Sequence, residues 1–267
     1  MTWSGFRPSD DPNSYGYSIP SNIYASSALY KILELNTRVW KSQSLHRKAS
    51  KLLSDIESGI ERYGIIEIEP GVKVYAYEVD GMGGREVDLD DANLPSLLSL
   101  PLLGWPKLDL HVYKATRERL LDPKYNKYYF NGSHGIRGIG SEHTKDGFVW
   151  PLGVMTEALT TDSVDEKVRI LRMLLNMQCG NGLMHESVAA DDPKRCTRPE
   201  FEWANSMFVV LAESTLGIDC NAAADEEWRN RIRHQESKDG DQTLPQNGGP
   251  DDPLYYSLLS STIMHSL

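Results

Sequence analysis

The chain has 267 residues, 40% of them hydrophobic and 25% charged, and a formal net charge of −10. That length can bury a sizeable core without disulfide or metal staples. The acidic balance argues against a nucleic-acid partner, which needs a basic face to displace counterions from phosphates.

In chain order, the first stretch with chemistry is SGFRPSDD, Ser4 to Asp11, followed by the turn-rich PNSYGY. Apolar residues then recur at helical spacing through NIYASSALYKILEL. They recur again through LHRKASKLLSDIESGIERYG, where Leu45, Leu52, Leu53, Ile56 and Ile60 make one stripe and Gly64 is the stop. IIEIEPGVKVYAYEVDG predicts a hairpin turning at Glu69-Pro70-Gly71. DDANLPSLLSL has the acids and the Pro95 of a helix start, and DLHVYKATRERLL predicts a further short helix.

Asp122 to Phe148 has no period and reads as a long loop, a kind of segment that is commonly functional. Helical pattern returns in PLGVMTEALT and in SVDEKVRILRMLLNMQ, with Ser163 and Glu166 as a capping box and Gly180 as the stop. PEFEWANSMFVVLAESTL predicts one more helix. After it, residues 217–253 are charged and turn-forming, a mobile segment by composition, and 254–267 could form a helix that docks back. The order of elements predicts a mainly α domain over 1–216, with a small hairpin inserted among helix pairs.

No run nears the roughly 20 apolar residues of a membrane span, and Met1 to Pro20 lacks the pattern of a signal peptide. Asn131-Gly132-Ser133 is a glycosylation sequon, relevant only to a secreted chain. Cys179, Cys196 and Cys220 show no metal-ligand spacing, and neither a calcium loop nor a phosphate-binding loop is present. No metal and no cofactor is expected.

Three constellations carry chemistry. In SGFRPSDD, Arg7 can fork onto a polar ligand or hold a carboxylate, and Asp10 or Asp11 can serve as acid or base; alternatively the acids cap a turn. In GNGLMHESVAADDP, Glu186 beside His185 can be a general base, or the pair can belong to a polar loop; without an HExxH spacing the two are not zinc ligands on one helix face. In TRPEFEWANS, Arg198, Trp203 and Asn205 combine a charge, a flat apolar face and an amide. That mixture suits a sugar, although helical spacing also fits Trp203 into a core.

These stretches together resemble glycoside hydrolase family 125 (GH125), the exo-acting α-1,6-mannosidases. The strings are SGFRPSDD, YGYSIPSN, YAYEVDGMG, DDANLPSLLSLP, GIGSEHT, MHES with DDP after it, and TRPEFEWANSMF, in one order from Ser4 to about Leu216. The resemblance implies an (α/α)6 toroid of helix pairs and metal-independent, inverting hydrolysis of a mannose-containing oligosaccharide or glycan. It implies Asp10 or Asp11 as general acid and Glu186 as general base, with Arg7, His143, His185, Arg198, Trp203 and Asn205 around the sugar. Glu200 and Glu202 stand where the family more usually has Trp and Ala, which adds charge near the pocket mouth.

In that family SGFRPSDD falls near the middle of a much longer chain. The resemblance therefore implies a partial toroid, its C-terminal part, and a truncated chain that need not turn over. The alternative expectation is a non-catalytic sugar-binding or interaction protein derived from the family. A metal-dependent hydrolase using His143, His185 and Glu186 is a third reading.

Overall fold

The computed structural model describes residues 1–217. The segment at 217–253, Gly217 apart, and the helix expected at 254–267 lie outside the described residues. Among the described residues the fold is mainly helical, and no helix is long and apolar enough to cross a membrane.

Helix α1 (Ile19–Leu35) starts where Ser18 Oγ accepts the Ser21 amide and Pro20 fits a first turn that needs no amide donor. It packs against α2 (Gln43–Gly59), whose N-cap is Ser42, and α2 runs on into a π-turn at Ile60–Gly64. The buried face of this helix is Ala49, Leu53, Ile56 and Ile60. Leu52, expected in the stripe, is 43% exposed. It sits one residue, and so about 100° of helical rotation, away from Leu53.

The hairpin forms as expected from β2 (Ile65–Glu69) and β3 (Val72–Tyr75), with Ile65 opposite Tyr75. Short strands β1 (Tyr17–Ser18), β4 (Glu78–Val79) and β5 (Arg85–Glu86) make an antiparallel sheet in the order β1-β4-β5. Helix α3 (Leu110–Leu120) packs on β3, its first turn capped by Asp109. These elements share one core, which includes Ile19, Ile23, Leu53, Ile56, Tyr75, Tyr77 and Val112.

A second core joins α4 (Pro151–Leu159), α5 (Val164–Leu175), α6 (Glu202–Leu216) and the strands between them, around Trp150, Val154, Met155, Ile170, Leu174 and Val188. Only half of the expected capping box forms at α5. Ser163 Oγ accepts the Glu166 amide, but the Glu166 carboxylate turns to Thr161 Oγ1 at 2.7 Å. The helix stops at Leu175, a turn before Gly180.

Three stretches depart from the sequence expectations. DDANLPSLLSL is not an α-helix: the Asp90 carboxylate accepts the amides of Leu97 and Leu98, which fixes a turn, and only Leu100–Leu103 is a 3-10 turn. The long loop at 122–148 contains a hairpin of β6 (Tyr129–Asn131) and β7 (Arg137–Ile139). MHESVAADDP is not an open loop either, since β8 (Phe148–Val149), β9 (Ser187–Ala189) and β10 (Asp192–Thr197) form a sheet in the order β10-β9-β8. Gly140 explains how β7 meets β8: a Cβ there would lie 2.3 Å from the Phe148 carbonyl oxygen, so only glycine permits the approach. Ser141, Glu142 and His143 leave this junction directly into the site.

Candidate active site

SGFRPSDD folds into a closed turn. The Arg7 amide donates to the Asp11 carbonyl at 2.8 Å, the Asp10 amide donates back to the Arg7 carbonyl at 3.0 Å, and Phe6 pairs with Pro12. Asp10 sits at the tip with a φ of 68°, a left-handed conformation that Asp tolerates better than most residues, and it is exposed. Asp11 points the other way. Its side chain is only 16% exposed, Oδ1 lies 3.6 Å from His143 Nδ1, and Oδ2 is buried without a protein partner. The turn thus separates two acids that are equivalent in sequence.

Arg7 is buried beneath this turn. Its Nε donates to Glu78 Oε1 at 2.5 Å and its Nη1 to Glu142 Oε2 at 2.6 Å, with the guanidinium 5.6 Å from the centre of the Tyr77 ring. Glu78 is fully buried on β4, and its second oxygen accepts the amides of Ser14 and Tyr15 at 2.8 and 3.3 Å. One carboxylate therefore fixes both arms of the turn that carries Asp11. Buried polar atoms without a protein partner gather here, Asn13 Nδ2 and Tyr77 Oη together with Asp11 Oδ2. Such groups are costly unless something polar meets them.

Behind the acid lie more buried carboxyls. Asp91 accepts the Ser141 hydroxyl at 3.1 Å and both nitrogens of Asn93, and Ser141 Oγ accepts the His143 amide at 3.2 Å. Burial pushes the Asp91 carboxyl above its ordinary range, against these hydrogen bonds. Burial likewise pushes its neighbour Asp90 up to about 8.

Glu186 comes from the other end of the chain, just before β9, and is 5% exposed. Arg198 Nε lies 3.0 Å from its Oε1, while the rest of the Arg198 side chain is largely open to solvent. Arg198 holds a φ of 41°, an uncommon conformation that aims it back from the end of β10 onto Glu186. Glu186, His143, Lys145, Phe148 and Arg195 line a cavity of about 380 Å³. His143 is thus in contact with Asp11 and shares a cavity with Glu186.

The segment holding Glu186 is set by Asn205 on α6. Its Oδ1 accepts the Met184 amide at 2.9 Å, and its Nδ2 donates to the carbonyls of Phe201 and Met184 at 3.0 and 3.4 Å. That amide is committed to the main chain. Trp203 is 65% exposed, with one edge on Phe201 at 5.4 Å between centroids; Phe201 meets Trp150 at 6.0 Å, and Trp150 meets His143 at 6.3 Å. A row of rings therefore runs from the acid side to an open indole face.

His185 does not point to solvent. It is 1% exposed, Nδ1 lies 3.3 Å from the Arg198 carbonyl, and Nε2 is buried without a partner. Cys179 and Cys196, which showed no metal spacing in sequence, converge on it: the two Sγ atoms and a ring nitrogen all lie within 4.8 Å of one another. Burial, followed by a hydrogen bond to Cys196, pushes the Cys179 thiol up to about 12. Among the described residues this is the group of potential metal ligands that comes together; His143 and Glu186 are not part of it.

Sequence reasoning missed Glu78, Glu142 and Asp91. Glu78 lies in YAYEVDGMG and Glu142 in GIGSEHT, strings singled out above, but neither residue carried a spacing that marked it.

The family model described as metal-independent alpha-mannosidase (GH125) matches residues 1–212. A fission-yeast protein, the meiotically up-regulated gene 157 protein of Schizosaccharomyces pombe, is 42% identical over 210 residues, which is 78% of this chain and 40% of that protein. A solved Streptococcus pneumoniae structure is similar with a TM-score of 0.78 and 41% identity, covering 82% of this chain and 51% of that one. It is described as a metal-independent α-mannosidase in a non-productive substrate complex with α-1,6-mannobiose. The chain spans about half the length of these proteins or less.

Proposed function

The chain belongs to GH125, the metal-independent α-mannosidases, and from that premise we propose that it carries the acid and base of an inverting exo-α-1,6-mannosidase site. The observation that supports this best is His143, which stands 3.6 Å from Asp11 and lines the same cavity as Glu186. One carboxylate thus contacts the imidazole, and a second, from the other end of the described chain, lines the cavity that the imidazole also lines.

Inversion needs a protonated carboxyl at the leaving oxygen and a carboxylate on the opposite ring face, roughly 6.5 to 9.5 Å apart, with a water between the base and the anomeric carbon. In this reading Asp11, not Asp10, delivers its proton to the glycosidic oxygen as the C1–O bond breaks. Glu186 takes a proton from the water whose oxygen forms the new bond to C1, and the product is β-mannose. Arg198 orients Glu186, His143 and the Arg7–Glu78 pair hold the Asp11 turn, and the open face of Trp203 stacks on the sugar. The α-1,6-linked mannoside as substrate is taken from the ligand named for the S. pneumoniae structure.

The test is to incubate the purified chain with methyl α-1,6-mannobioside, whose leaving half departs as methyl mannoside with a blocked anomeric centre, and to follow the anomeric protons of the released mannose by NMR. The expected first product is β-mannose, with no release by Glu186→Gln and no loss of rate on adding a chelator. Appearance of α-mannose first would overturn inversion. Saturable mannoside binding with no release at any protein level would assign the chain instead to sugar binding without catalysis.

A further inference from the structure

We propose that Cys179, His185 and Cys196 form a binding site for a soft divalent cation, zinc by its ligand chemistry, distinct from the hydrolytic carboxylates. The three ligand atoms lie within 4.8 Å of one another, a spread that small shifts bring to the bond lengths of a zinc centre, about 2.3 Å to sulfur and about 2.0 Å to nitrogen. Two sulfurs and an imidazole favour zinc over hard cations such as calcium or magnesium, which take oxygen.

The unpartnered nitrogen carries the argument beyond proximity. Two partly buried thiols can simply pack as small apolar groups, and both do touch the second core. That accounts for the sulfurs but leaves His185 Nε2, in a side chain 1% exposed, with no partner. A buried imidazole nitrogen left in that way costs free energy. The other ring nitrogen faces the Arg198 carbonyl at 3.3 Å. A proton on Nδ1 donated to that carbonyl leaves the Nε2 lone pair free, the tautomer that main-chain support gives a metal-bound histidine.

The site also has a way in, because Cys196 lines the cavity that holds Glu186. Its ligands come from three segments: the turn after α5, the approach to β9, and β10. A bound ion would tie these together beside Glu186 without touching the bond being cleaved. The proposal does not depend on the hydrolase reading.

The test uses the full chain, reduced and stripped of metal, titrated with cobalt(II). The expected result is one equivalent bound with a thiolate-to-cobalt charge-transfer band, bleached by zinc, and a thermal midpoint that rises with zinc. Cys179→Ser and Cys196→Ser should each weaken binding by at least roughly tenfold, the lower end of the loss seen even for supporting residues at metal sites. Cys220→Ser should leave the band intact. Cadmium NMR on the unmodified chain gives a second readout that needs no variant: a resonance in the two-thiolate range is expected. No charge-transfer band at one equivalent, a band that survives both serine variants, or a cadmium resonance in the all-oxygen range would overturn the proposal.

Discussion

Arg7 Nε and Glu78 Oε1 meet at 2.5 Å in a place where the two side chains are 4% and 0% exposed. A buried pair of this kind adds little net stability over apolar residues of the same shape, but breaking it strands a charge. Arg7→Ala should therefore cost about 3–5 kcal/mol, read as a lower denaturant midpoint at unchanged slope. The double variant Arg7→Met with Glu78→Leu should lose less stability than the single one, while still disordering the turn that bears Asp11. A single variant that loses under about 1 kcal/mol, the range of exposed pairs, would show that the pair is not what holds the turn.

Asp10 and Asp11 differ in where the turn points them, and their variants should differ accordingly. Asp11→Asn should lower kcat on α-1,6-mannobiose by about 10² to 10⁴-fold, the usual contribution of a general acid, and Asp10→Asn should turn over close to the unmodified chain. On an aryl mannoside with an acidic phenol as leaving group, the Asp11→Asn deficit should shrink, because that oxygen departs without a proton. The reverse order of the two variants would move the acid to Asp10.

Trp203 and Asn205 lie two residues apart on α6 and should separate binding from stability. Trp203→Ala should raise KM with stability unchanged within about 0.5 kcal/mol, as for exposed positions generally. Asn205→Ala removes the acceptor for the Met184 amide and should cost about 1–3 kcal/mol, with a fall in kcat as Glu186 loses its support. If Trp203→Ala leaves KM where it was, the indole is not a sugar platform.

Asp90 should make stability depend on pH with a definite sign. Its carboxyl is pushed by burial from 3.8 to about 8, so between those values the native state holds a proton that the unfolded chain has released. Stability then falls as pH rises from about 4 to about 8. Asp91 and Glu157, also raised by burial, act in the same direction. Urea midpoints for the unmodified chain and Asp90→Asn, compared across that window, should show a flatter dependence in the variant. Equal slopes would refute the assignment to Asp90.

Much of the helical framework was legible because its signals are local. Ser163 caps α5 as its spacing to Glu166 implies. Ser18, Ser42 and Asp109 cap their helices by the same kind of local contact without being singled out in the sequence, and the Ile65–Tyr75 hairpin follows from alternation around Pro70-Gly71. The site was legible only as separate strings. Nothing in PSDD says which acid turns inward; that depends on Glu78, which lies far along the chain and carries no period. The turn at 90–98 was misread as a helix because a buried carboxylate that binds two amides leaves the same acidic signature as a helix start. Cys179, His185 and Cys196 have no ligand spacing because a helix end and a β-hairpin bring them together, and pairing across strands is invisible to counting along the chain.

The Arg7–Glu78 contact has a kinetic side. The partners are separated by 71 positions, and the entropy of closing a loop grows with the logarithm of its length, while the hairpin and helices between them can form from nearby contacts. The turn that carries Asp11 is thus expected to lock late in folding, after β4 exists to receive it. Refolding followed by a probe on Trp3 or Tyr15 should lag the recovery of helical circular dichroism, so the chain would acquire its helices before it acquires its acid.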